Sequence, residues 1–102
     1  MHYVMVRYRV KPGRAEEHEA LARAVYEELS HARPAGLRYA TFKLPDGVSF
    51  VALSAWEGEN GNAPLTELPA FKRFVADIGE RCDEPPVVSE VSAVGTFALF
   101  DR

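Results

Sequence analysis

Proline and glycine interrupt this chain at five places, Lys11–Gly13, Arg33–Gly36, Pro45–Gly47, Glu57–Pro64 and Asp83–Pro86. What lies between these breaks constrains the fold more than anything else in the sequence. Tyr3–Val10 ("YVMVRYRV") is rich in Val and Tyr and reads as a strand closed by "KPG". Arg14 to Ala32 reads as a helix, with Glu16 and Glu17 in the first turn, where the macrodipole favours negative charge. Pro34 stops it, because proline cannot continue a helix and biases Arg33 away from helical dihedrals. Leu37–Leu44 and Val48–Trp56 are two strands joined by "PDG", a hairpin signal. Glu57–Pro64 is polar and rich in Gly and Asn, the composition of a mobile loop. A second helix is expected from Pro69, favoured at a first helical position, to Arg81 or Cys82. Its apolar face carries Phe71, Phe74, Val75, Ile78 and Cys82. Val87–Phe100 reads as a long last strand. In 102 residues the order β–α–β, β–α–β predicts a single domain, residues 1–102. The fold class expected is α+β, a ferredoxin-like βαββαβ sandwich with both helices on one face of a four-stranded antiparallel sheet.

That arrangement leaves the other sheet face uncovered. On the first strand Val4, Val6, Tyr8 and Val10 oppose Tyr3, Met5, Arg7 and Arg9. On the third, Phe50, Ala52, Ser54 and Trp56 oppose Ser49, Val51, Leu53 and Ala55, so apolar residues occur on both faces. The last strand repeats this, with Val87, Val91, Ala93 and Phe97 opposing Val88, Val94 and Ala98. Two helices cover one face, and the simplest cover for the other is a second copy, giving a homodimer with facing sheets.

The formal net charge of -3 offers no electrostatic case for nucleic acid or an anionic membrane as partner. Arg7, Arg9, Lys11 and Arg14 are followed at once by Glu16, Glu17 and Glu19, a solvated mixed surface. Arg7 and Arg9 also interrupt what a secretory signal would keep apolar, so a cytoplasmic location is expected. Cys82 is the single cysteine, which excludes an intrachain disulfide and a cysteine-based zinc site.

Among candidate functional residues His18 stands out, because it falls in the apolar stripe of the first helix formed by Leu21, Ala22, Val25 and Leu29. It reads as a general base, or a hydrogen-bond partner for an aromatic hydroxyl, facing the space between helices and sheet, or else as a packed histidine at the rim of the core near a helix end, with one nitrogen wet. Trp56 is either a wall for an aromatic substrate or the aromatic that closes the end of the sandwich. Phe71 and Phe74 have core spacing and would border the same space, while Tyr8, Tyr26 and Tyr39 offer hydroxyls to orient a phenolic ligand. Arg7 and Arg9 suit an anionic substrate or an ion pair with Glu90 or a second chain. Cys82 reads as an inert buried thiol. There is no glycine-rich phosphate loop, no G-x-S-x-G and no metal-ligand spacing among His2, His18 and His31.

Taken together, "VMVRYRVKPGRAEEHEAL", "GLRY", "FVALSAWEGE", "LPAFKRFVADIGE" and the C-terminal strand make the chain resemble the dimeric α+β-barrel superfamily. Within it the resemblance is to the antibiotic biosynthesis monooxygenase (ABM) type and covers nearly the whole chain. It implies a binding cavity between sheet and helices, and the superfamily spans oxygenases, haem-degrading enzymes, cyclases and isomerases. The haem-degrading branch uses an Asn on the first strand, a Trp before the second helix and a His on that helix. Val6, Leu65 and Val75 stand at those positions, so no haem is expected. The resemblance implies a homodimeric, cofactor-independent monooxygenase acting on a small aromatic or polyketide-like molecule, with no cofactor and no metal. His18 would be the base and Trp56, Tyr8, Tyr39, Phe71 and Phe74 would position the ring. The alternatives are a non-catalytic ligand-binding or stress-associated dimer, or a polyketide cyclase or isomerase on the same fold.

Overall fold

Alternating Val and Tyr produce β1 (His2–Val10), which takes one of the two inner positions of a four-stranded antiparallel sheet. The other strands are β2 (Leu37–Lys43), β3 (Ser49–Trp56) and β4 (Cys82–Val91), in the order β2-β3-β1-β4. The computed structural model describes residues 1–58 and 63–99, so the centre of the expected Glu57–Pro64 loop, and Phe100, lie outside the described residues. The hairpin between β2 and β3 is closed by Asp46, whose carboxylate accepts the N–H of Val48 at 2.9 Å and of Ser49 at 2.8 Å. Gly47 follows at φ 80°, a conformation that costs glycine nothing.

Register sorts the strand residues by face. Val4 pairs with Ser54 and Val6 with Ala52, while Tyr39 pairs with Ser54 from the other side. These rows face the helices. The row Phe42, Val51, Arg7, Val87 faces away from them. Helix α1 (Ala15–Ala32) follows a short 3-10 turn at Pro12–Arg14 and lies on the inner face, with Val25 and His18 fully buried. It ends as expected, at Arg33, which adopts φ 44° and donates its N–H to Leu29 O at 2.8 Å just before Pro34. The core beneath α1 is formed by Tyr8, Val10, Val25, Phe50, Leu65, Ala70, Phe74 and Cys82.

Two expectations are corrected. The second helix is not continuous: after α2 (Ala63–Thr66) come α3 (Pro69–Val75) and α4 (Ile78–Arg81). The break is at Ala76, which is extended at ψ 129°, and Asp77, which is left-handed at φ 60°. The last strand begins and ends earlier than Val87–Phe100. Cys82 pairs with Val10 and Glu84 with Arg9, so the segment read as a break is part of β4. Pro85 and Pro86 are tolerated because β4 is an edge strand whose register shifts beside them. The strand stops at Val91 because Val91 pairs with Tyr3, and β1 has almost no residues left to pair. Cys82, expected on a helix, is therefore the buried first residue of β4.

A helix of the length of α3 is marginal on its own, and its ends are closed by side chains from elsewhere. At the N-terminus the Glu28 carboxylate on α1 accepts the N–H of Ala70 at 2.7 Å. At the C-terminus the Arg81 guanidinium donates from Nη1 to Ala76 O at 2.9 Å and from Nη2 to Phe74 O. Replacing Glu28→Ala leaves that helix end uncapped and is expected to lower stability by about 1 kcal/mol. Urea unfolding midpoints compared between the variant and the parent protein check this.

Candidate functional site

The inward rows of the sheet and the short helices enclose a cavity of about 300 Å³. Its floor is Val4, Val6 and Tyr8 from β1 with Ala52 and Ser54 from β3. Its roof is Leu65 and, from α3 and α4, Phe71, Phe74, Val75 and Ile78. Tyr39 closes one side, and the mouth is formed by Pro86 and Val88, with Val75 and Val88 left 41 % and 67 % exposed. Among the described residues no charged side chain lines it. A wider depression of about 420 Å³ between the end of α1 and β2 opens to solvent and is bordered by Ser30, Arg33 and Pro34. The apolar, sheet-floored cavity is the better site because it holds a ligand out of water while leaving few polar groups to orient it.

Of the residues singled out in the sequence, Tyr8, Tyr39, Phe71 and Phe74 come together around this cavity. Three of the rings form a continuous set, Tyr39 meeting Phe71 edge-on at 6.4 Å and Phe71 lying 6.1 Å from Phe74, and Tyr8 joins them through the His18 ring. Tyr26 lies behind Tyr39, stacked at 5.4 Å, with its hydroxyl 2.6 Å from Thr41 Oγ1. Trp56 is not among the lining residues; it stacks on His2 at 5.5 Å at the far end of β3. Arg9 turns outward and pairs with Asp83 and Glu84 of its own chain, each at 2.9 Å, and not with Glu90. The Glu90 row, through Val4 and Ser54, faces the helices, whereas Arg7 and Arg9 face the other way.

His18 does not line the cavity either, and lies one residue deeper, behind Tyr8. It is 0 % exposed and packed among the rings of Tyr8, Phe50 and Phe74 at 5.1, 4.9 and 5.0 Å. Both ring nitrogens have partners: Nε2 is 2.7 Å from Tyr8 Oη and Nδ1 is 3.3 Å from Arg81 Nε. An arginine Nε always carries hydrogen, so Nδ1 must accept, and the single ring proton of neutral His18 belongs on Nε2. The lone pair that a base would use thus faces Arg81. Arg81 is itself 2 % exposed and sits 5.9 Å over the Phe74 ring. Among the described residues no carboxylate pairs with it. Its charge is held instead by the carbonyl end of α3. The sequence signals for Arg81 were weak, because a basic residue ending an expected helix ordinarily complements the dipole from the surface.

Burial, and then the charge of Arg81, lower the His18 pKa from 6.5 to about 4. Burial likewise holds the phenols of Tyr8, Tyr26 and Tyr39 above their usual value, and raises the Cys82 thiol. Among the described residues there is no group of three or more His, Cys, Asp or Glu able to hold a metal ion, and no helix is long and apolar enough to cross a membrane.

The His18 shift makes stability depend on pH with a definite sign. The unfolded chain protonates His18 near pH 6.5 and the folded chain only near pH 4. Stability is therefore fully present above pH 6.5 and falls as the pH drops toward 4, by about 3 kcal/mol over the whole window. Glu17 and Asp46, whose pKa values are lowered by hydrogen bonds from Arg14 and Ser49, contribute stability that is lost only from the ordinary carboxylate range downward. Urea midpoints measured from pH 7 to 5 should thus decline in the parent protein and stay nearly flat in His18→Gln.

Comparison with known proteins agrees with this architecture. No curated protein matches the sequence. Among solved structures, an antibiotic biosynthesis monooxygenase superposes with a TM-score of 0.77 at 22 % identity, covering 93 % of this chain and 100 % of that one. Rv0793 from Mycobacterium tuberculosis gives 0.76 at 19 % identity, covering 93 % and 96 %. The N63A mutant of SnoaB from Streptomyces nogalater, described as a cofactor-independent oxygenase, gives 0.69 at 18 % identity, covering 93 % and 94 %. At these identities the structures speak for the fold. The family model described as antibiotic biosynthesis monooxygenase matches residues 1–77, from β1 through α3, and the chain belongs to that family.

Proposed function

We propose that this protein binds a small, uncharged aromatic molecule in the cavity between the sheet and the α3–α4 segment. The observation that carries this reading is the lining itself. Aliphatic and aromatic side chains surround about 300 Å³, and the polar contributions come from Tyr8, Tyr39 and Ser54. The positions that the resemblance associates with haem chemistry, Val6, Leu65 and Val75, all border this cavity and are all apolar. A charged ligand would lose hydration there without meeting an opposite charge. Ala52, 6 % exposed on the floor, provides the test. Ala52→Leu should weaken binding of a tricyclic aromatic probe at least tenfold while leaving the circular dichroism spectrum unchanged. Equal affinity in both proteins would place the ligand elsewhere.

The family supports a second reading, cofactor-independent oxygenation in the same cavity. A substrate such as an anthrone enolises readily and supplies its own electrons to oxygen. Anthrone and O2 then give anthraquinone and water. A carbon-bound proton is lost to solvent at the Val75–Val88 mouth, and O2 adds to the carbanion as a peroxide that takes a proton back. The O–O bond breaks as the second carbon-bound hydrogen leaves with hydroxide as water. The protein's share is a dry cavity and a fixed orientation. His18 acts in this reading through Tyr8, its own lone pair being directed at Arg81. Oxygen uptake on adding anthrone supports it; tight binding without uptake leaves a binding protein.

We further propose that the protein works as a homodimer with facing sheets. The outward face carries Phe42, Val87 and Met5 at 51, 54 and 37 % exposure; Phe42 pairs with Val51, Met5 with Leu53, and Arg7 lies between Val51 and Val87. Sedimentation at micromolar concentration should give a dimer, and Phe42→Glu should shift it toward monomer. A monomer in the parent protein would overturn the proposal.

A further inference from the structure

We infer that Arg81 and His18 together orient the Tyr8 hydroxyl so that its proton is offered to the cavity, and that the bound molecule presents a neutral acceptor there, a ketone or quinone carbonyl. This rests on reading the cavity as an aromatic-ligand site. The chain of donors runs one way. Arg81 Nε donates to His18 Nδ1 at 3.3 Å, which leaves the ring proton on Nε2. That proton is donated to Tyr8 Oη across 2.7 Å. Oη is thereby an acceptor toward His18, and its own proton needs a different partner. Tyr8 is 4 % exposed, and among the described residues no second side chain or carbonyl accepts from its hydroxyl. A buried O–H without an acceptor is costly, and this one belongs to a residue of the cavity floor.

The rest of the lining narrows the acceptor's chemistry. Anionic groups are disfavoured, because Arg81 does not line the cavity, directs one hydrogen from each of its three nitrogens to His18, Ala76 O and Phe74 O, and meets Tyr8 only through neutral His18. A ligand hydroxyl beside Tyr8 would itself need an acceptor. Ser54 does not supply one there, since it lies in the Val4 row, four residues from the Tyr8 position and about 13 Å along the strand, and the hydroxyl of Tyr39, the other polar group of the lining, is engaged with Thr41. A carbonyl oxygen accepts from Tyr8 and leaves nothing unpaired. His18 is in this account a positioning residue and not a catalytic one.

The test separates this inference from the cavity reading. In the ligand-free protein, nitrogen-15 spectra of the His18 ring should show hydrogen on Nε2 and none on Nδ1. Hydrogen on Nδ1 overturns the inference whatever binds. Fluorenone and fluorene share a shape and differ by one carbonyl, so their affinities are compared in the parent protein and in Tyr8→Phe. The fluorenone-to-fluorene affinity ratio should fall about tenfold in the variant, with fluorene binding retained as evidence that the cavity is intact. The carbonyl stretch of bound fluorenone should be shifted to lower frequency in the parent protein and not in Tyr8→Phe. An unchanged ratio overturns the inference and leaves the cavity reading standing. Failure of the parent protein to bind either probe overturns the cavity reading and this inference with it.

Discussion

The contact on which the site depends is the buried guanidinium of Arg81. Three of its nitrogens are used, two on the last carbonyls of α3 and one on His18. Those carbonyls have no partner within the helix because the chain leaves helical geometry at Ala76 and Asp77. Without Arg81 the carbonyl of buried Phe74, at the end of α3, would lose this partner. With it, the break becomes a fixed corner that holds Phe71 and Phe74 over the sheet. The same side chain removes the basic lone pair of His18. One residue therefore closes the roof of the cavity and determines which way the hydrogen bonds beneath it run.

This arrangement places a permanent charge in the core with two carbonyls, a neutral imidazole nitrogen and an aromatic face as its described partners, and no carboxylate. The cost is lowered because the carbonyl end of a helix is a site of partial negative charge. His18 contributes by remaining neutral, since a second positive charge in van der Waals contact with the same rings would be repelled and poorly solvated. The histidine thus serves as a polar spacer between a charge and a phenol. The rings of Phe50 and Phe74 pack against it at 4.9 and 5.0 Å.

The cavity exists because the floor is built from small and branched residues where the neighbouring core is aromatic. Tyr8 and Phe50 stack at 5.5 Å and fill the space under the start of α1. Two and four residues back along β1, Val6 and Val4 with Ala52 and Ser54 opposite leave room. α3 and α4 span that gap without filling it, anchored by Glu28 at one end and Arg81 at the other. Packing density thus changes along one pair of strands, and the ligand site lies at the change.

Much of this was legible in the sequence, for physical reasons that differ by element. The strands, the hairpin and α1 could be read because period-2 and period-3.6 patterns and the Pro and Gly breaks are local properties of the chain. The ferredoxin-like order followed from them, as did the inward face of β1, and Phe71 and Phe74 were placed on a buried helix face by spacing alone. The break at Ala76–Asp77 was not legible, because neither residue is a glycine or a proline and the geometry is held by Arg81 from outside the helix. The extent of β4 was not legible either. A strand ends where its partner ends, and the Tyr3–Val91 pair decides that. For His18 the sequence determined that a polar ring would be buried in an apolar stripe. Only the tertiary structure brought Arg81, 63 residues away in the chain, to one nitrogen and Tyr8 to the other. A tautomer is chosen by such neighbours, and no local pattern encodes it.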